Sequence, residues 1–450
     1  MTETFLIVGG DAAGMSAASK AKRDDPDLDV VVLERGEWVS YGACGLPYYV
    51  KGDVSELEDL VAVPPERFVE ERDIDLRTGH EATAIDTDTR RVTVETETET
   101  YEQSYDYLLI ATGARALEPP IDGLDREGVF SLHSMEAGRQ LKSFVESEPG
   151  IEHVAVIGGG YVGIEMAEAF RAHDMEVSLF EMLPQVLPTF GETVGEAVAA
   201  ELREEGVDLH LDTQVQRLAG DERVRAVETA EESVPVDGVL VGAGVVPNTE
   251  LAEAAGIELG ETGAIATDEY GRTNAPDVYA AGDVAEMDHV VTGEPAHVPL
   301  ALTANRAGRA IGQTVAGDRT RVGEIAGTAV LKAFDLAAAR TGITDESEAR
   351  EAGFDPVSVT ITAPSRAHYY PGGTELEITM VGDHDTGRVL GATIVGEEGV
   401  AKRVDTVAAA LHGEMTVADV EYMDLSYAPP FSPTWDPVLT AAKVLRGKLD

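Results

Sequence analysis

The stretch Val156-Ile157-Gly158-Gly159-Gly160-Tyr161-Val162-Gly163 carries glycines at the spacing G-x-G-x-x-G, between an apolar run and a predicted helix from Ile164 to Ala172. Glycines at a strand-to-helix turn let the backbone approach a pyrophosphate, and the helix N-terminus supplies free N–H groups. Glu181 closes the next apolar run, where a carboxylate binds the 2′-OH of an adenosine ribose. The stretch predicts a Rossmann-like dinucleotide-binding unit, contacted through Gly158, Gly159, Gly160, Tyr161, Val162, Gly163 and Glu181.

The segments from Thr4 to Glu34 and from His153 to Glu181 have the same order of apolar strand, glycine turn, small-residue helix and second strand. The turn of the first segment is Gly9-Gly10-Asp11-Ala12-Ala13-Gly14, with Asp11 in place of the middle glycine, so we expect the Asp11 side chain to point away from a pyrophosphate. Two such units predict two dinucleotides, usually a resident FAD and a visiting nicotinamide nucleotide. Because the Glu181 carboxylate would repel a 2′-phosphate, we expect NADH to be preferred over NADPH.

Later segments complete the predicted fold. Ala111-Thr112-Gly113 ends a buried strand, and Gly282-Asp283 ends another, where the carboxylate suits a ribityl hydroxyl of FAD. Arg91 to Tyr101 alternates apolar or Thr residues with acidic ones, which predicts one strand with a wet face. From about Gly323 the pattern becomes that of an α+β domain without a nucleotide motif. We predict an α/β fold with an FAD-binding domain over 1–115 and 245–322, an NAD(P)H-binding domain over 116–244 and a C-terminal α+β domain over 323–450.

The charge balance limits the possible partners and the environment. The chain has 450 residues, 83 acidic against 34 basic, and a formal net charge of −49. Because apolar periodicity is plentiful, we expect a folded protein with an acidic, hydrated surface and not a disordered acidic chain. Concentrated salt screens the self-repulsion of such a surface, so we hypothesise a salt-adapted, halophilic protein. This charge could not neutralise a phosphate backbone, which argues against nucleic acid as a partner.

Membrane and export signals are also missing from the sequence pattern. The first apolar strand has no basic n-region or small-residue cleavage site before it. No apolar stretch approaches the ~20 residues of a membrane span. We therefore expect a cytoplasmic protein without a membrane partner.

Cys44 is the single cysteine of the chain, which excludes an intrachain disulfide, a two-cysteine redox pair and thiolate metal clusters, and no metal site is predicted. It lies between Gly42 and Gly45, just after the first nucleotide unit. We expect a nearby helix start to lower the thiol pKa. No His or Asp neighbours it in sequence, so hydrolase chemistry is poorly supported. Cys44 is predicted to carry electrons, with the second sulfur supplied by a small molecule.

Several segments together resemble one known family. They are the two glycine turns, Ser40-Tyr41-Gly42-Ala43-Cys44-Gly45-Leu46-Pro47-Tyr48, Tyr369-Tyr370-Pro371-Gly372 and the segment from Tyr427 to Ser432. The family is the single-cysteine branch of the pyridine nucleotide–disulfide oxidoreductases, and the resemblance is strongest to its coenzyme A disulfide reductases. The resemblance implies a homodimer whose C-terminal dimerisation domain completes the partner's active site. Cys44 would attack coenzyme A (CoA) disulfide to form a Cys–S–S–CoA mixed disulfide, which reduced flavin would cleave.

The same resemblance implies roles for individual residues. Tyr369 and Tyr427 would act as acids towards the leaving CoA thiolate, with Tyr427 also near the flavin. The implied FAD contacts are Gly9, Gly10, Ala12, Ala13, Gly14, Glu34, Arg35, Ala82, Ala111, Thr112, Gly113, Gly282, Asp283 and Tyr427. The implied CoA contacts are Ser16, Lys20, Arg23, Ser40, Ala43, Arg72 and Asn305. The cations among them make physical sense as partners of the CoA phosphates.

Other functions stay open. Ala43 and Asn305 stand where a branch member has Asn and His, and Glu181 departs from the NADPH-preferring pattern. The NADH oxidase and peroxidase branch, in which the cysteine cycles through a sulfenic acid, has a His where Ala12 stands, which counts against that chemistry. Reduction of polysulfide or of another small disulfide fits the same residues. A flavin-binding signalling protein is the non-enzymatic alternative.

Overall fold

A parallel sheet built on the apolar run Thr4–Val8 organises the N-terminal part of the chain. The computed structural model describes residues 2–147 and 150–449. In chain order the first elements are β1 Thr4–Val8, α1 Ala12–Asp24, β2 Asp29–Glu34, α2 Leu46–Lys51, β3 Asp75–Thr78, β4 Glu81–Asp86, β5 Arg91–Glu95, β6 Thr100–Ser104, β7 Tyr107–Ile110 and β8 Ala114–Ala116.

The middle of the chain builds a second parallel sheet and then returns to the first one. Its elements are β9 Val129–Phe130, α3 Met135–Ser147, β10 His153–Ile157, α4 Tyr161–Ala172, β11 Glu176–Phe180, α5 Glu192–Glu204, β12 Val207–His210, β13 Arg217–Gly220, β14 Val224–Glu228, β15 Ser233–Pro235, β16 Gly238–Val241, β17 Val245–Pro247, α6 Glu250–Ala254, β18 Val278–Ala280, β19 Met287–Asp288, β20 Pro295–Ala296 and α7 Ala301–Val315.

The C-terminal part is an antiparallel sheet covered by helices. Its elements are β21 Ala329–Ala333, β22 Leu336–Gly342, α8 Glu346–Glu351, β23 Pro356–Pro364, β24 Glu375–Asp383, β25 Val389–Gly396, α9 Val400–His412, α10 Val417–Glu421 and α11 Pro437–Leu449. The strand order is β21-β22-β25-β24-β23, and every residue of the central strand β25 is buried.

The two parallel sheets repeat one plan. The first has the order β18-β7-β1-β2-β3 and the second has the order β12-β11-β10-β16-β9. In each sheet the strand before a glycine turn (β1 or β10) is central, and the helix after the turn (α1 or α4) leads to the neighbouring strand. The prediction of two Rossmann-like units and a C-terminal α+β part is therefore confirmed.

Helix α7 closes the first unit by packing directly on α1. A Cβ at Gly308 would lie 2.1 Å from the carbonyl oxygen of Ala13, and one at Gly312 would lie 2.4 Å from that of Ala17. The two helices therefore touch backbone to backbone, which only glycine permits. This contact joins residues nearly 300 positions apart.

Two local predictions need correction. Arg91 to Tyr101 is not one strand but the hairpin of β5 and β6, because the Thr96 hydroxyl accepts hydrogen bonds from the N–H groups of Thr98 and Glu99 and holds a turn. Helix α4 begins at Tyr161, directly at the glycine turn, and not at the predicted Ile164. Among the helices of the described residues, none combines the length and apolar character needed to cross a bilayer.

Candidate active site

The two glycine turns each hold a carboxylate in the same way. Glu34 Oε2 accepts a hydrogen bond from the Gly10 N–H at 2.8 Å, and Glu181 Oε2 accepts one from the Gly159 N–H at 2.7 Å. Both carboxylates are thus fixed beside their turn, where the ribose of a dinucleotide would lie. The internal repeat extends from the fold to individual hydrogen bonds.

The glycines of both turns are required by close backbone contacts. Gly9 and Gly158 have φ angles of +112° and +109°, in the region that favours glycine. A Cβ at Gly14 or Gly163 would lie 1.9 Å from the carbonyl oxygen of Gly9 or Gly158 respectively. Helix and strand therefore meet too closely for any side chain, and the turn presents bare backbone. Both turns fit a pyrophosphate.

The Asp11 side chain turns towards the segment that carries Cys44. Its Oδ1 accepts a hydrogen bond from the Tyr41 N–H at 3.1 Å, and the neighbouring Ser40 N–H donates to the Gly10 carbonyl at 3.0 Å. Burial raises the pKa of Asp11 to about 6 against the lowering effect of the Tyr41 hydrogen bond, and the charges of nearby carboxylates add to the rise. The first glycine turn and the cysteine segment are therefore one connected structure.

Cys44 lies on a short 3₁₀ turn, Ala43–Gly45, immediately before α2, and is exposed. The protein atoms packed around it still remove enough water to raise the pKa of the thiol, and the charges of Glu165, Asp283 and Asp11 raise it further. The expectation that a helix start lowers this pKa is wrong, since burial and three carboxylates outweigh that effect.

The strand ends predicted to contact FAD converge on the start of α1. A Cβ at Gly9 would lie 2.1 Å from the carbonyl oxygen of Ala111, and one at Gly282 would lie 3.2 Å from Ala13 Cβ. Burial raises the pKa of Asp283 against the opposing effects of His133 and His297.

The other predicted FAD contacts follow β7 and β2 or lie on β4. The Thr112 hydroxyl donates to the Asn248 carbonyl at 2.9 Å, which fixes the end of β7. Gly113 follows with a φ angle of +65°. Arg35 is exposed directly after β2, and Ala82 lies on β4.

Several residues predicted to contact CoA lie on α1 or bind to it. The Ser16 hydroxyl donates to Asn305 Oδ1 at 2.5 Å, which joins α1 to α7. Arg72 Nη1 donates to the Ser19 hydroxyl at 2.7 Å, and Lys20 pairs with Asp24 at 2.6 Å.

The other predicted CoA contacts are Arg23, Ser40 and Ala43. Arg23 is exposed on the last turn of α1. Ala43 is the first residue of the cysteine turn, and Ser40, three residues earlier, has a φ angle of +51°. Within residues 2–147 and 150–449, Lys20 is the one cation of the set that a carboxylate holds in an ion pair.

Two glutamates on α4 were missed by sequence reasoning. Glu165 Oε1 accepts a hydrogen bond from the Tyr48 hydroxyl at 3.0 Å, and burial raises the pKa of Glu165 to about 7. Glu168, one turn later, is buried and binds two lysines. Their three-residue spacing on an otherwise apolar helix face is the signal that could have drawn attention to them.

Tyr369 and Tyr427 form a pair on the C-terminal part, with side chains 63% and 46% exposed. Their phenolic oxygens lie 2.8 Å apart. The shared hydrogen bond raises the pKa of Tyr369 and lowers that of Tyr427, and a hydrogen bond with Thr434 lowers the latter further. Exposed aromatic side chains of Tyr370, Phe431 and Trp435 belong to the same part of the chain.

Comparison with known proteins places the whole chain. The family model for pyridine nucleotide-disulphide oxidoreductases matches residues 3–307, and the model for the dimerisation domain of that family matches residues 328–437. A Pyrococcus abyssi protein named NAD(P)H sulfur oxidoreductase (CoA-dependent) is 41% identical over 445 residues, which cover 99% of this chain and 98% of that one.

Two further known proteins are similar to nearly the whole chain. Coenzyme A disulfide reductase of Staphylococcus haemolyticus is 29% identical over 431 residues, 95% of this chain and 96% of that one. The solved structure of an NAD-dependent persulfide reductase from A. fulgidus superposes with a TM-score of 0.95 at 40% identity, covering 99% of this chain and 83% of that chain. The resemblance drawn from the sequence is confirmed, and the chain belongs to the pyridine nucleotide-disulphide oxidoreductase family, whose enzymes use FAD and NAD(P)H.

Proposed function

We propose that this enzyme reduces a small sulfur–sulfur bond through Cys44, with CoA disulfide as the leading substrate and NADH as the preferred reductant. The observation that carries the proposal is the lone, accessible Cys44 on a segment bonded to the first glycine turn. A cysteine in that place can pass electrons between a flavin and an external disulfide. Because the chain has no second cysteine, the partner sulfur has to come from the substrate.

The chain's own residues have two tasks in each cycle. The Cys44 thiolate attacks one sulfur of CoA disulfide, which forms a Cys44–S–S–CoA bond and releases one CoA thiolate. Tyr427, with Tyr369 hydrogen-bonded to it, donates the proton that the leaving thiolate takes up. FAD, when bound, supplies the transfer of two electrons from NADH to the mixed disulfide. The second CoA then leaves and Cys44 is again a thiolate, so one NADH and one proton yield two CoA thiols.

Substrate binding is assigned to the outer face formed by α1, α7 and Arg72. Ser16, Lys20, Arg23, Ser40, Ala43, Arg72 and Asn305 would hold CoA there. In a chain with a net charge of −49, three cations on one face form a local exception that suits phosphate groups. The two tyrosines would come from a partner subunit, since their exposed aromatic neighbourhood suits burial against a second copy of this chain.

Reduction of CoA persulfide or polysulfide is the second candidate. The A. fulgidus protein is named a persulfide reductase and the Pyrococcus abyssi protein a CoA-dependent sulfur oxidoreductase, and both are near 40% identity. A thiolate attacks a sulfane sulfur as it attacks a disulfide, and only the leaving group changes. Ala12 supplies no acid–base group for peroxide, so peroxidase chemistry is a weaker alternative.

The remaining proposals concern organisation and environment. FAD would bind the domain of residues 1–115 and 245–322, and NADH the domain of residues 116–244. The assembly would be a homodimer through residues 323–450. The protein would work in a salt-rich cytoplasm.

One experiment tests the proposed function. The FAD-loaded enzyme is reduced anaerobically with NADH, and its reoxidation by CoA disulfide, by polysulfide with CoA, by hydrogen peroxide and by oxygen is followed in separate mixtures. We expect fast reoxidation by CoA disulfide that Cys44→Ser abolishes. Fast turnover only with oxygen or peroxide would overturn the proposal. A Cys44→Ser variant with unchanged turnover would instead favour a flavoprotein that does not use the thiol.

A further inference from the structure

The carboxylate of Glu168 joins three separate parts of the chain. Its Oε1 accepts hydrogen bonds from Lys51 Nζ and from Lys332 Nζ, each at 2.9 Å. Its Oε2 accepts one from the Phe334 N–H at 2.8 Å. Lys51 ends the helix after Cys44, Glu168 lies on the helix after the second glycine turn, and Lys332 and Phe334 belong to the C-terminal part.

The charges of this cluster balance around a buried carboxylate, while the Lys332 side chain is 51% exposed. Burial raises the pKa of Glu168, but the hydrogen bonds from Lys332, Lys51 and the Phe334 N–H lower it more, so the carboxylate stays ionised. Glu168 is 7% exposed. Lys51 also pairs with Asp53 at 2.9 Å. Because a buried charge without its partners is costly, the three segments hold one another in place.

A second contact one turn earlier runs between the same two helices. Tyr48 and Lys51 are three residues apart on α2, and their partners Glu165 and Glu168 are three residues apart on α4. Two rungs, defined by these four residues, therefore fix α4 against α2. Helix α2 starts just after Cys44, and α4 starts at the second glycine turn. The rungs therefore set the distance and angle between the Cys44 segment and the second glycine turn.

We propose that Glu168 is a positioning residue for hydride transfer, which holds the second glycine turn at the right place and angle relative to the first unit. The inference rests on the proposed function in one respect, that the nicotinamide nucleotide binds at the second glycine turn. Glu168 would act through α4, because its carboxylate oxygens are engaged by Lys51, Lys332 and the Phe334 N–H. The two rungs together make the relative placement of the units rigid where hydride transfer is sensitive to small displacements.

Glu201 provides a matched control on the same unit. Its Oε1 accepts a hydrogen bond from the Asp335 N–H at 3.0 Å, so it also links the second unit to the C-terminal part. It lies on α5 and not on the helix that starts at the glycine turn. Glu201→Gln therefore tests loss of an interdomain glutamate without loosening α4 from α2.

The experiment separates the two half-reactions of the FAD-loaded enzyme. In Glu168→Gln we expect flavin reduction by NADH to slow by about tenfold or more, as small misplacements do. Reoxidation of chemically reduced enzyme by CoA disulfide should stay near the wild-type rate, and Glu201→Gln should match wild type in both steps. Equal slowing of both half-reactions, or no slowing of either, would overturn the inference.

A milder variant keeps the test decisive if Glu168→Gln does not fold. Lys332→Met removes one of the two lysines and leaves Lys51 on the carboxylate. It should slow flavin reduction in the same direction and by less, and an unchanged rate would overturn the inference. Flavin reduction needs no sulfur acceptor, so these outcomes stand whichever disulfide is the substrate. Wild-type enzyme that NADH does not reduce would overturn the proposed function itself.

Discussion

The phenolic oxygens of Tyr369 and Tyr427 lie 2.8 Å apart, so two tyrosines separated by 58 positions share one hydrogen bond. That bond makes their acidities unequal, with the pKa of Tyr427 lowered and that of Tyr369 raised. Tyr427 is therefore the better proton donor of the pair. Tyr369 supports it, and the two should behave as a unit.

Substitution of Tyr427 by Phe should lower kcat with CoA disulfide by about 100-fold, a common effect of removing a general acid. Flavin reduction by NADH should be unchanged. Tyr369→Phe should cost less and should raise the pKa of Tyr427, because the lowering hydrogen bond is lost. The alkaline fall of kcat, where the acid loses its proton, should then move to higher pH. A profile that does not move would contradict the assignment.

The pH dependence of thiol chemistry follows from the charges around Cys44. Burial raises the pKa of the thiol, and Glu165 is the first of the carboxylates that raise it further. Reoxidation of reduced enzyme by CoA disulfide should speed up as pH rises and the thiolate forms. Glu165→Gln removes one negative charge and should move this rise to lower pH. Rapid mixing over a pH series measures the shift, and Glu136→Gln, on the exposed start of α3, serves as the control.

Glu165 should also make stability depend on pH. Its pKa in the folded protein is about 7, above the ordinary value of 4.5, because burial disfavours the charged form. Its stabilising contribution is therefore complete below about pH 4.5 and is lost as pH rises through about 7, on the order of 3 kcal/mol. Denaturant unfolding of wild type and Glu165→Gln across this range should show a weaker loss in the variant. Parallel curves would rule out this origin.

The choice of nicotinamide nucleotide should depend on Glu181. Its carboxylate is fixed by the N–H groups of Gly159 and Leu183, so it cannot swing away from a 2′-phosphate without losing both bonds. Glu181→Gln removes a like charge, whose cost is several kcal/mol, and should reduce the preference for NADH at least about tenfold. The ratio of kcat/KM values for NADH and NADPH measures this. Glu34→Gln, the same change in the first unit, should weaken FAD retention without altering that ratio.

Salt should stabilise this protein. The net charge is −49, and exposed ion pairs such as Arg67 with Glu71 contribute little to hold it together. Raising potassium chloride from millimolar to molar concentration should therefore raise the Tm steadily through screening of self-repulsion. Thermal unfolding at matched pH tests this. A Tm that stays level or falls across the series would contradict a salt-adapted surface.

The sequence was most informative where close backbone packing dictates the residue. Both units were predicted with nearly correct ends, from Thr4 to Glu34 and from His153 to Glu181, because their turns admit only glycine at given spacings. Glycine patterns report such contacts directly. The α+β character of the C-terminal part was predicted from a different signal, its strand patterns.

Electrostatic features were less accessible because their partners are distant in the chain. Glu168 binds Lys51 and Lys332, which lie 117 and 164 positions away, and no local pattern brings them together. The pKa of Cys44 was misjudged for the same reason, since Glu165 and Asp283 reach it from other elements. The local sequence indicates the helix start beside Cys44 but gives no sign of the carboxylates that lie near it in the fold.

The contact of Gly308 with Ala13 affects the order in which the nascent chain can fold. All strands of the second parallel sheet are available once residue 241 has left the ribosome. The first parallel sheet lacks its edge strand until β18 is synthesised, and α1 lacks its packing partner until α7 is synthesised. The unit that starts synthesis is thus the later of the two to be completed. The first glycine turn therefore lacks its final packing until nearly 300 further residues have been translated.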